Sequence, residues 1–221
     1  MKNTKLYIII FIFFICTVLI INNTGNAIYL LSTFFCILIL FYKISRTKSN
    51  KIYVLTQISL FSSIATICRC FFYLIPKFNP FLAIIILSSA NMEKNCGFLI
   101  GILSIFISNI FLGHGLWTPW QMVAAGTIGY LSGLIFNNKI RPTPIRLALF
   151  SSICIIFVYS LIMDIYSILL INISSWQTIL MYFSISSLTN TVYAISSTIF
   201  IVMLFNPIVN IIRKMDKIAK R

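Results

Sequence analysis

Apolar residues follow one another along this chain in long runs, broken by short gaps that hold most of its charged side chains. The runs cover roughly 6–21, 26–42, 52–75, 80–93, 97–112, 119–137, 146–171 and 178–205. They are too long for strands and approach the ~20 apolar residues with which a helix crosses a bilayer. Two are short for a full crossing and need tilt, a thinned bilayer or burial inside a bundle. The pattern predicts an all-α, polytopic membrane helix bundle. A basic gap at 43–51, KISRTKSNK, divides it. Residues 1–50 read as an N-terminal transmembrane hairpin with its basic loop, and 51–221 as a six-helix core with a basic tail. The first run could be a signal peptide led by Lys2 and Lys5. No A-x-A site follows Ile21 and the second run comes at once, so a retained helix is the expectation.

Composition agrees with the pattern. The 221 residues are 60% hydrophobic and 9% charged, against about 25% charged in soluble domains. Too few polar groups remain to cover a soluble surface. A net charge of +14 would fit a nucleic-acid binder, but its distribution excludes that partner. Lys43, Arg46, Lys48 and Lys51 share one gap, Lys139, Arg141 and Arg146 another, and Arg213, Lys214, Lys217, Lys220 and Arg221 end the chain. The alternate gaps, near 22–25, 76–79, 113–118 and 172–178, hold Lys77 alone. This is the positive-inside pattern, and it predicts both termini on the cytoplasmic side. The six cysteines lie mostly within apolar runs and suggest neither a disulfide framework nor a metal site.

The most informative stretch is 97–136, GFLIGILSIFISNIFLGHGLWTPWQMVAAGTIGYLSGLIF. Two apolar helices flank a turn that gathers the only His, His114, with Trp117, Thr118, Pro119, Trp120 and Gln121. The charge pattern turns it outward. A plain anchor has no need of such a turn. Trp117 and Trp120 could be interfacial anchors. Together with Thr118 and Gln121 they form a better case for an aromatic wall with a few directed hydrogen bonds, which is what a flat heterocycle requires. Ser108 and Asn109 close the preceding helix beside this turn. His114 has no second His with which to build a metal site. Gly97/Gly101 and Gly129/Gly133 are GxxxG spacings that predict close helix packing.

Ionisable residues inside a span are costly and therefore candidates. Arg69 sits near the outer end of its run, before an aromatic stretch that leads through Pro76 to Asn79 and Pro80. A snorkelling Arg is the bland alternative. Asp164 reads equally as a functional group or an interhelical contact, and it could meet Arg69 only if its helix were kinked or displaced. Glu93 beside Lys94 reads as a surface ion pair.

The segment from Gly97 through Phe98, Leu99, Gly101, Ser108, Asn109, Gly113, Gly115, Trp117, Thr118, Pro119, Trp120, Gln121 and Met122 resembles a subgroup of the substrate-binding S components of energy-coupling-factor (ECF) vitamin transporters. The resemblance covers about residues 52–221, and the first two helices resemble an accessory hairpin of some members. It implies a bacterial cell-membrane protein without enzymatic activity, catalytic residues or a cofactor. It would capture a vitamin outside and deliver it by docking to a transmembrane coupling subunit with two ATPase subunits. The chain itself has no GxxxxGK[ST] loop. Cobalamin is the leading substrate, with riboflavin and queuosine-like bases also open. The implied substrate-binding residues are Arg69, Asn79, Asn109, His114, Trp117, Thr118, Trp120, Gln121, Asn190 and Tyr193. The implied partner-contact residues are Ser59 and Ser63, with Ser62 and Thr66 offering the same spacing on the first core helix; an intramolecular packing face explains that spacing equally well. The chain departs from the subgroup at His114, where Gln is usual, at Leu116, where Pro is, and at Asn190 and Tyr193, where an Asp and a His stand.

Two rivals belong to other classes. A stand-alone secondary transporter usually shows an internal repeat or midplane coupling groups. A membrane enzyme acting on lipids or lipidated peptides needs acids, His or a nucleophile–base pair at one depth, whereas this chain has one His and three acids on distant segments.

Overall fold

A computed structural model describes residues 51–137, 140–171 and 175–219, and every regular element among them is helical. The expected hairpin of 1–50 lies outside the described residues. The helices are α1 (Lys51–Phe71), α2 (Phe81–Ala90), α3 (Lys94–Leu112), α4 (Thr118–Phe136), α5 (Pro144–Cys154), α6 (Leu161–Ile171) and α7 (Trp176–Ala219). A π-helical segment, Ile155–Ser160, joins α5 to α6. Four stretches are long and apolar enough to cross a membrane: Ile52–Phe71, Lys94–Leu112, Pro144–Ile171 and Trp176–Ile218. The described chain is an all-helical membrane bundle.

Two of the expected spans are largely buried inside the bundle. All ten residues of α2 are buried, so this short helix meets protein rather than lipid on every side. Helix α4 carries Thr118, Pro119, Gln121 and three glycines, and thirteen of its 19 residues are buried. Its small residues lower its hydropathy and raise its packing density. At its interface with α3 the backbones nearly touch. A Cβ at Gly101 would lie 2.5 Å from the Ala125 carbonyl oxygen, and one at Gly97 would overlap the Gly129 carbonyl. Gly97 and Gly129 thus face each other, while Gly101 meets Ala125 and Gly133 meets Lys94, the close packing that the GxxxG spacings predict.

Side-chain hydroxyls tie the helices where water is absent. Thr66 Oγ1 on α1 donates to the Ser104 carbonyl of α3 at 3.3 Å, Ser132 on α4 to the Ile86 carbonyl of α2 at 2.8 Å, and Ser152 on α5 pairs with Thr198 on α7 at 2.9 Å. Helix α7 runs for 44 residues with Pro207 inside it, about 66 Å at 1.5 Å per residue. The expected span of 178–205 is therefore only part of this helix. It continues past Pro207 into the basic stretch around Arg213, and Asp216 there accepts a hydrogen bond from the Tyr53 hydroxyl of α1.

Candidate functional site

Local chemistry sets the α3–α4 turn. Gly113 ends α3 with φ of 102°, in the region that favours glycine, and its N–H donates to the Asn109 carbonyl at 2.9 Å. Pro119 then starts α4, where its missing N–H costs nothing. The Thr118 hydroxyl accepts from the Gly115 N–H at 3.2 Å and closes the turn. The Trp117 indole lies so close over Gly115 that a Cβ there would collide with it.

This turn meets the last turn of α1 through Arg69. The guanidinium donates to Asn109 Oδ1 at 2.7 Å, to Gln121 Oε1 at 3.1 Å and to the Ser108 hydroxyl. Asn109 passes the bonding on, donating through Nδ2 to Thr118 Oγ1 at 2.9 Å and Gln121 Oε1 at 3.2 Å. Three helices are thus joined by one polar network. Arg69 also lies 5.5 Å from the Phe81 ring centroid, a cation–π contact.

The network forms one wall of a cavity of about 650 Å³, within the range of sites for drug-sized ligands. Aromatic side chains supply further lining. Tyr159, on the π-helical segment, meets Tyr193 of α7 edge to face at 5.5 Å. Both line the cavity with Trp117, and Lys77 and Asn79 come from the loop after α1. Lys77 has a left-handed backbone, φ 61°. The residue is exposed as a whole, yet its ammonium reaches inward to 5.6 Å from the Tyr193 ring centroid. That desolvation pushes the Lys77 pKa below the ordinary lysine value, and the Asp164 carboxylate partly offsets the shift.

Six of the ten residues expected to bind substrate line this cavity: Arg69, Asn79, Asn109, Trp117, Gln121 and Tyr193. Four do not. Thr118 is buried behind the wall as a hydrogen-bond partner. Trp120 is 3% exposed and packs 5.8 Å from the Tyr166 ring. His114 is exposed and faces the Phe106 ring at 5.6 Å. Asn190 is buried and donates to Asp164 Oδ2 at 3.2 Å, beside Ser186 at 3.0 Å. Asp164 therefore has hydroxyl and amide partners, and no ion pair with Arg69 forms. Ser59 and Ser63 lie on an exposed face of α1, while Ser62 and Thr66 are buried. Burial thus supports the internal-packing explanation for the second pair.

Sequence reasoning did not place Tyr159 or Lys77 at the site. The only signal for Tyr159 was a hydroxyl in an otherwise apolar run, and π-helical turns recur at functional sites. Lys77 stood out as the sole basic residue of its set of loops. Among the described residues no three His, Cys, Asp or Glu side chains come together as metal ligands. No protein-family model matches this chain, and no curated protein or solved structure matches it either.

Proposed function

We propose that this chain is the membrane-embedded substrate-binding subunit of an ECF-type importer, taking up a vitamin-type small molecule at the Arg69–Trp117–Tyr193 cavity. One observation carries the reading. Asn109 and Gln121 of the 97–122 segment that resembles S components converge with Arg69 on a cavity of about 650 Å³, and Trp117, Tyr159 and Tyr193 supply flat aromatic surface there. The described helices, with α5 and α6 continuous through the π segment, form six rods, the number in an S-component core. Cobalamin is favoured by the resemblance. A ligand of that size would extend beyond a cavity of about 650 Å³, whereas riboflavin is small enough to enter it. In the cell membrane, with both termini inside, the site would face outward, and the exposed Ser59/Ser63 face of α1 would meet the coupling subunit.

The test is to purify the full chain in nanodiscs and titrate it with cobalamin and riboflavin, after identifying any co-purifying compound by native mass spectrometry. Micromolar or tighter binding of one vitamin, lost in Gln121→Ala, is expected. Absence of any vitamin from both assays would remove the reading.

A second reading rests on Asp164. A buried carboxylate held by Ser186 and Asn190 within the bundle is the kind of group that couples an ion to transport. Concentrative uptake by the chain alone in proteoliposomes, driven by an ion gradient and lost in Asp164→Asn, would favour a secondary transporter.

A further inference from the structure

Arg69 has no counter-ion. Its three acceptors, on Ser108, Asn109 and Gln121, are all neutral. The chain has only three acidic side chains against seventeen Lys and Arg, and none of the three is among the hydrogen-bond partners of Arg69. Glu93 precedes α3 at the end opposite Asn109. Asp216 holds the Tyr53 hydroxyl on the far end of α1. Asp164 holds Ser186 and Asn190. Residues 1–50 contain no Asp or Glu.

A guanidinium stays protonated at any physiological pH. Beside a bundle in lipid, an uncompensated charge is expensive. Lys77 places a second cation on the same cavity; the Asp164 carboxylate, bonded to Ser186 and Asn190, acts on it, and no carboxylate lines the cavity itself. Arg69 uses three of its five N–H donors on the protein. Nε–H and one N–H on Nη2 have no protein acceptor among the described residues, and such donors suit a carboxylate or phosphate oxygen.

We infer that the ligand of this cavity carries an oxyanion, a carboxylate or phosphate, which pairs with Arg69 and Lys77 while its ring packs against Trp117 and Tyr193. The inference rests on the cavity being the ligand site proposed above, and it adds the charge class of the ligand. It disfavours a neutral heterocycle as the natural substrate.

Matched probes test it. The full chain in phosphatidylcholine nanodiscs is titrated calorimetrically with 2-naphthoate against 2-naphthamide, and with 2-naphthyl phosphate against 2-naphthol. At least one anion should bind ten-fold or more tightly than its neutral partner. Arg69→Gln should abolish that preference. Lys77→Gln should narrow it several-fold, and this exposed loop position keeps the test open if the Arg69 variant does not fold. Equal affinities within both pairs, no binding of any probe, or a preference unchanged in Lys77→Gln and in folded Arg69→Gln would overturn the inference. Probe binding that disappears in discs containing phosphatidylglycerol would overturn a soluble ligand in favour of a lipid headgroup. Tight binding of a neutral vitamin without anion preference would sink the charge class and leave the carrier function standing. Anion preference with no vitamin bound would do the reverse.

Discussion

The Arg69 guanidinium and the Asn109 side chain meet at 2.7 Å, and Asn109 is spent on both sides of that bond. Its carbonyl accepts from α1 while its amide donates to Thr118 and Gln121 on α4. The pair is therefore a joint of the scaffold as well as part of the cavity wall. Asn109→Leu should remove one acceptor from Arg69 and the donors to Thr118 and Gln121, and cost about 1–3 kcal/mol. The thermal midpoint of the purified variant measures this, and an unchanged midpoint would count against the network.

The two tryptophans of the turn have different surroundings and should respond differently. Trp117 is 42% exposed and lines the cavity, whereas Trp120 is 3% exposed. Trp117→Ala should weaken ligand binding by about 1 kcal/mol or more with little effect on stability. Trp120→Ala should cost about 3–5 kcal/mol of stability. Titration and thermal melting of both variants separate the two effects.

Small residues on α1 and α3 should also part company. Gly101→Leu forces a side chain against the α4 backbone and should destabilise by roughly 1–3 kcal/mol or prevent folding. Ser63→Trp on the exposed face of α1 should leave melting and ligand binding near wild type. If that face meets a coupling subunit, the same variant should reduce ATP-dependent uptake in the reconstituted assembly. Equal loss of binding and uptake would return Ser63 to a packing role.

Lys77 gives the site a pH dependence with a definite sign. Its folded-state pKa lies below the ordinary lysine value, so the unfolded chain holds more protons in the window between the two. Stability should therefore rise with pH across that window. Anion binding should fall across it as the ammonium loses its proton. Lys77→Gln should flatten both profiles, which alkaline titration of melting and of 2-naphthoate affinity would reveal.

Orientation can be checked directly. A Cys introduced at Leu116 in a background without exposed cysteines should react with an impermeant thiol reagent on intact cells. One at Ser49 should react only after permeabilisation. The reverse would turn the cavity toward the cytoplasm.

Much of this bundle was legible in the sequence because its causes are local. Apolar runs become helices in lipid since each backbone group finds its partner within the same segment. The glycine spacings announced the α3–α4 contact because only a missing Cβ permits that approach. Gly113 and Pro119 marked the ends of the turn through their own backbone preferences. Composition also limited the acids that could meet Arg69 to three. The tertiary structure decided what depends on how helices are rotated against one another. It buried Trp120 and opened Trp117, three residues apart on one strand of sequence. It left His114 outside, gave Asp164 to Ser186 and Asn190, and brought Tyr159 on a π-helical turn to face Tyr193. It buried α2 and most of α4 among the other helices. A residue's own run reports whether it prefers apolar surroundings. Which neighbour it meets is fixed by crossing angles and registers that many side chains set together, and no single run contains them.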